Sequence, residues 1–66
     1  MPHTSQKLDP TQRAEYIIDC LLNNGYVQVK DLAIEMSVDE STVRRDLSEL
    51  AEKGLLKRVY GGATHV

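Results

Sequence analysis

The stretch "STVRRDLSEL", Ser41 to Leu50, decides how this 66-residue chain is read. Val43, Leu47 and Leu50 recur at helical spacing, and Asp39, just ahead of them, is a good helix N-cap, with Glu40 suited to the first turn. With Val43 as origin and about 100° per residue, Leu47 lies at about 40°, Leu50 at about −20° and Ala51 at about 80°, one apolar stripe. On the same wheel Arg44 falls at about 100°, Ser48 at about 140°, Ser41 at about 160° and Arg45 at about 200°. Two adjacent arginines thus flank an exposed face floored by small hydroxyl residues. The helix is predicted from Glu40 to about Lys53, with Gly54 at the left-handed C′ position.

Toward the N-terminus, "SVD" (Ser37 to Asp39) is a short connection. Before it a helix is predicted over about Lys30 to Met36, with Leu32, Ala33 and Met36 on its inner face. "YVQV", Tyr26 to Val29, alternates and is β-branched, which predicts one short strand. Asn23-Asn24-Gly25 stops an earlier helix that starts at Asp9-Pro10, Asp at the N-cap and Pro at N1. Ala14, Ile17, Ile18, Leu21 and Leu22 form its apolar face. Residues 1–8 read as a disordered tail, leaving 9–66 as the domain.

Toward the C-terminus, "LLKRVY" (Leu55 to Tyr60) reads as a strand and Ala63 to Val66 as its return. Gly61-Gly62 between them is a tight turn able to take positive φ at both positions. The fold expected is mainly α with a small antiparallel sheet: three helices plus a β-hairpin wing, a winged helix-turn-helix. "YVQV" is expected to pair with the wing in a three-stranded sheet, since a lone hairpin is marginal.

Composition bounds the function. A domain of this size buries a small share of its surface, which argues for a binding surface over a deep substrate cavity. There is no Trp or Phe, so Leu, Ile, Val, Ala and Met must build the core. The single cysteine, Cys20, has no internal partner and no zinc spacing, which fits a reducing, cytoplasmic setting. No apolar run reaches membrane-spanning length. No nucleophile–base pair, metal cluster or phosphate-cradling Gly-rich loop is visible, so neither an enzyme nor a cofactor is expected.

Net charge is −2, yet residues 1–40 carry three cations against seven acids and residues 41–66 five cations against three. That gradient points to an anionic partner met by the C-terminal half. A second helix with an exposed cationic face fits the major groove of double-stranded DNA. Ser41, Arg44, Arg45 and Ser48 are the residues expected in the groove. Thr42, Lys57 and Arg58 are expected on the backbone, and the Gly61-Gly62 wing beside the adjacent groove. Lys57 and Arg58 alternate on their strand, so at most one faces DNA directly. Asp46, beside the apolar stripe, is expected to hold a neighbouring element or an arginine in place. Arg45 has an alternative use in an i,i+4 pair with Glu49. Tyr60 borders the wing turn and is the one tyrosine not expected to serve packing alone.

"LAIEMSVDESTVRRDLSELAEKGLLKRVYGGA" resembles the N-terminal winged helix-turn-helix of the DeoR family of bacterial transcription regulators. Thr42, Val43, Arg44, Arg45, Asp46, Leu47, Leu50, Gly54, Leu56, Arg58, Gly61, Gly62 and Ala63 carry the resemblance, which extends over nearly all of residues 12–66. It implies operator binding within a repressor of sugar or related metabolism genes. It also implies a C-terminal domain, outside this chain, that binds a phosphorylated sugar or related metabolite and forms homo-oligomers. This chain departs from the family at the recognition-helix N-cap, where Asp39 stands in place of the common Ser. Asp39 and Glu40 repel phosphate, and a carboxylate there can accept a hydrogen bond from cytosine N4. The competing class is a winged-helix protein-interaction module, which the net acidity favours and the Arg-Arg pair with a basic wing disfavours.

Overall fold

The computed structural model describes residues 8–66. Six elements follow in order: α1 (Pro10–Asn24), β1 (Tyr26–Gln28), α2 (Val29–Met36), α3 (Glu40–Glu52), β2 (Lys57–Val59) and β3 (Gly62–Thr64). The strands form one antiparallel sheet in the order β1-β3-β2. Three helices with a hairpin wing completed by β1 make a winged helix-turn-helix. The tail assigned to residues 1–8 lies outside the described residues except for Leu8, which packs against the core.

Local chemistry sets the ends of α1. The Asp9 carboxylate accepts from the Gln12 backbone N–H at 2.8 Å, and Gln12 Oε1 accepts from the Asp9 N–H at 3.0 Å, a reciprocal capping box. Pro10 adds no unpaired donor to the first turn. Gly25 closes the helix at φ +77°, its N–H donating to Leu21 O. Asp39 occupies the predicted cap of α3 but makes no side-chain capping bond.

The core lies where the three helices meet the sheet. Ile17, Leu21, Leu32, Val43 and Leu47 are its largest fully enclosed side chains. Each is worth about 1.5–3 kcal/mol relative to exposure, the main favourable term in a domain this small. Leu56 and Ala63 bring the hairpin into the same core. Leu22, assigned to the inner face of α1, is 64% exposed; the helix buries a narrower stripe centred on Ile17 and Leu21.

Three boundaries move from their sequence-based positions. Val29 begins α2 rather than ending β1, because ladder pairing stops at Gln28↔Gly62 and the Val29 N–H donates to the Gly61 carbonyl at 2.9 Å. The hairpin strands are shorter than Leu55–Tyr60 and Ala63–Val66, since pairing covers Lys57↔Thr64 to Val59↔Gly62. The wing turn is therefore Tyr60-Gly61, not Gly61-Gly62. Only Gly61 takes a positive φ, +75°. Gly62 is buried, and a Cβ there would lie 1.9 Å from the Val27 carbonyl oxygen. Its glycine serves close approach of β1 to β3.

Candidate nucleic-acid interface

The turn between α2 and α3 fixes how α3 is presented. Ser37 ends α2 in the left-handed region, φ 57° and ψ 47°, and its N–H donates back into the last turn. The chain reverses there within three residues and enters α3 at Glu40. Val43, Leu47 and Leu50 then turn inward and Ser41, Arg44, Arg45 and Ser48 outward, as their spacing requires. These four exposed side chains share one side of the helix.

The wing is fastened to that same side. Arg58 Nη1 donates to Ser48 Oγ at 2.6 Å, which joins β2 directly to the exposed face of α3. Lys57, one residue earlier, is exposed on the opposite face of its strand. Gly61 is exposed in the wing turn and Gly62 is buried beneath β1. Thr42 is half-buried beside the helix-turn-helix connection, in a depression it shares with Arg13, Ser37 and Asp39. It stands apart from the Arg44–Arg58 side.

The two arginines of the opening motif differ in the structure. Arg44 Nη2 donates to Glu40 Oε1 at 3.0 Å across one helical turn, with both side chains about half exposed. Arg45 has no ion-pair partner among the described residues, so the alternative pair with Glu49 does not form. Asp46 is the one buried charged residue of the described chain. It accepts Arg13 Nε at 2.5 Å and Arg13 Nη2 at 3.2 Å. Arg13 also donates to the Leu8 carbonyl at 3.0 Å. The hydrogen bond to Asp46, outweighing burial, raises the Arg13 guanidinium further above its already high value. Asp46 thus holds an arginine, as its place beside the apolar stripe predicts; the sequence did not say which.

Sequence reasoning passed over Lys30 as part of this surface. It gave Glu40 a place there only as an acid that repels phosphate or meets a base, not as the partner of Arg44. Lys30 and Glu40 both line a groove between α2, α3 and the wing turn, with Arg44, Arg58, Tyr60 and Gly61. Lys30 arrives there through the Val29–Gly61 hydrogen bond, a contact across the sheet that no local pattern encodes. Tyr60 is fully exposed at the wing tip. Among the described residues no group of three or more His, Cys, Asp or Glu could hold a metal ion, and no helix is long and apolar enough to cross a membrane.

An outward polar helix after a tight turn, flanked by a wing hydrogen-bonded to it, defines the class of winged helix-turn-helix DNA-binding domains found in transcription regulators. The DeoR-like helix-turn-helix domain matches residues 13–66, and the chain belongs to that family. It is similar to the glycerol-3-phosphate regulon repressor of Escherichia coli strain K12, 47% identical over 53 residues, which cover 80% of this chain and 21% of that protein. It is also similar to an HTH-type transcriptional regulator named FruR of Bacillus subtilis strain 168, 46% identical over 52 residues, 79% of this chain and 21% of the relative. A third relative is the lactose phosphotransferase system repressor of Lactococcus lactis, 38% identical over 56 residues, 85% of this chain and 22% of the relative. The chain therefore spans about a fifth of the length of the curated relatives it matches. No solved structure gives a significant match.

Proposed function

We propose that this chain binds double-stranded DNA in a sequence-specific way, with α3 in the major groove and the wing beside it. The Arg58–Ser48 hydrogen bond carries this reading, because it puts a basic wing strand and the arginine-bearing face of α3 on one continuous surface. Ser41 and Ser48 allow close approach to the groove floor, and Arg45 is free to reach base edges. Arg44 and Arg58 lie toward the wing and serve the backbone. Thr42 sits at the opposite edge, where it reaches a phosphate on the other groove wall. Lys57 acts through its long side chain, and Gly61 through the exposed backbone of the wing turn.

The names of the relatives support a regulatory setting. Two are named as repressors, one of a glycerol-3-phosphate regulon and one of a lactose phosphotransferase system. This favours a repressor of genes for sugars or related metabolites; the family resemblance adds to the proposal a homo-oligomer that answers to a phosphorylated effector. A cytoplasmic location accompanies that role.

A salt titration of binding to a random-sequence duplex tests the reading. Affinity should fall steeply with salt, as expected when several phosphates are neutralised. Arg44→Ala and Arg45→Ala should each weaken binding while helical content stays unchanged. Binding untouched by both variants overturns the placement of α3. No binding at low salt, even with a forced dimer, favours a protein partner for this surface.

A further inference from the structure

The groove beside the wing has a composition that neither the fold nor the recognition helix explains. Lys30, Arg44 and Arg58 line it with a single acid, Glu40, in a chain whose net charge is −2. Three different elements supply these cations: the first turn of α2, the first half of α3, and β2. Lys30 has no ion-pair partner among the described residues. Tyr60 overhangs the rim, entirely exposed, and none of the hydrogen bonds among the described residues uses its hydroxyl. Held wholly in water, this aromatic side chain buries no surface in the fold.

Arg44 is the occupied member of the set. Its partner Glu40 is exposed and one helical turn away, and such pairs in water are weak. A phosphate diester offers the guanidinium the same geometry, two acceptor oxygens sharing one negative charge. Lys30, as a compact cation, fits the same anion from the other wall.

Resting on the DNA-binding reading above, we infer that this groove seats one backbone phosphate of the duplex. Lys30 and Arg44 are its cations and the Tyr60 hydroxyl its neutral donor. Glu40 is a built-in competitor that holds Arg44 until the phosphate replaces it. The assignment divides the labour of the paired arginines: Arg44 faces the backbone and Arg45 is left to the bases. Lys30 then adds affinity without sequence preference, and Glu40 subtracts it.

The test compares charge-matched variants of the 66-residue chain on a random-sequence duplex across a range of salt. K30Q is paired with K53Q, whose position lies beside α1 away from the groove. E40Q is paired with E15Q, on the far side of α1. Lys30 and Glu40 are both exposed, so the fold should survive, and thermal melts verify it. K30Q should bind about three- to tenfold more weakly and lose about one unit of salt slope, with K53Q closer to wild type. E40Q should bind several-fold more tightly than E15Q. K30Q behaving like K53Q, or E40Q like E15Q, while the wild type binds DNA normally, overturns the phosphate seat and leaves the DNA-binding reading standing. A wild type that does not bind the duplex at all overturns both.

Discussion

Arg13 of α1 and Asp46 of α3 form a two-pronged ion pair across 33 residues of sequence, with side-chain exposures of only 15% and 8%. The pair sets α1 against α3 from the side opposite the wing. A buried pair of this kind is costly to break because the surviving charge is left without compensation. Arg13→Met should therefore cost on the order of 3 kcal/mol in urea denaturation. Adding Asp46→Leu should recover most of that loss, since an apolar replacement of both partners removes the stranded charge. A single-variant loss below about 1 kcal/mol would show that the pair is solvated and weak.

Ser37 is the only non-glycine residue of the described chain with positive φ, at 57°. Most L-residues pay about 1–2 kcal/mol in that region, and asparagine pays less through its local hydrogen bonding. Ser37→Asn should raise stability by about 0.5 kcal/mol, and Ser37→Val should lower it by about 1 kcal/mol or more. DNA affinity at saturating stability should not change in either. Equal midpoints for all three proteins in denaturant would refute the strain.

Gly61 and Gly62 are adjacent yet constrained for different reasons, and alanine separates them. At Gly62 a Cβ meets backbone, the Val27 carbonyl, at 1.9 Å, so strand β1 must move. Gly62→Ala should cost about 2–3 kcal/mol and loosen the wing, seen as faster amide exchange at Val27 and Ala63. At Gly61 a Cβ meets open space and the only penalty is the positive φ. Gly61→Ala should cost about 1 kcal/mol. The reverse order would mean that the turn sits at Gly61-Gly62 after all.

Tyr16 Oη donates to Glu35 Oε1 at 2.6 Å, tying α1 to α2 behind the interface. That bond first, then burial and the neighbouring Cys20, push the phenol well above its ordinary value of 10.0. A folded value above the unfolded one stabilises fully below about pH 10 and loses its effect as pH climbs through the raised value. Stability should thus fall on the alkaline side, and Tyr16→Phe should flatten that limb while costing about 0.5 kcal/mol at neutral pH. An alkaline limb identical in the two proteins would assign it to other groups.

Much of the fold was legible because its signals are local. The Asp9-Pro10 start, the Gly25 and Gly54 stops and the Val43-Leu47-Leu50 stripe each depend on neighbours within a turn or two, and all appear in place. Legibility failed where a distant strand intervened. Val29 looks like strand by composition but opens α2, where its N–H, which has no acceptor within the helix, is taken by the Gly61 carbonyl. Gly62 looks like turn but lies under β1. The candidate interface divides the same way: the outward set Ser41, Arg44, Arg45 and Ser48 follows from helical period, whereas Lys30 beside Tyr60 does not.

By itself the sequence determined the element types, their order, the inner and outer faces of α3 and the basic character of the C-terminal half. Periodicity, capping chemistry and charge reside in contiguous residues. Only the tertiary structure decided which arginine Asp46 holds, that Glu40 rather than Glu49 engages an arginine of the pair, and that Ser48 receives the wing through Arg58. Those choices depend on how far each long side chain reaches once three helices and a sheet have closed on one core. That closure brings together residues whose separation along the chain encodes nothing about their distance in space.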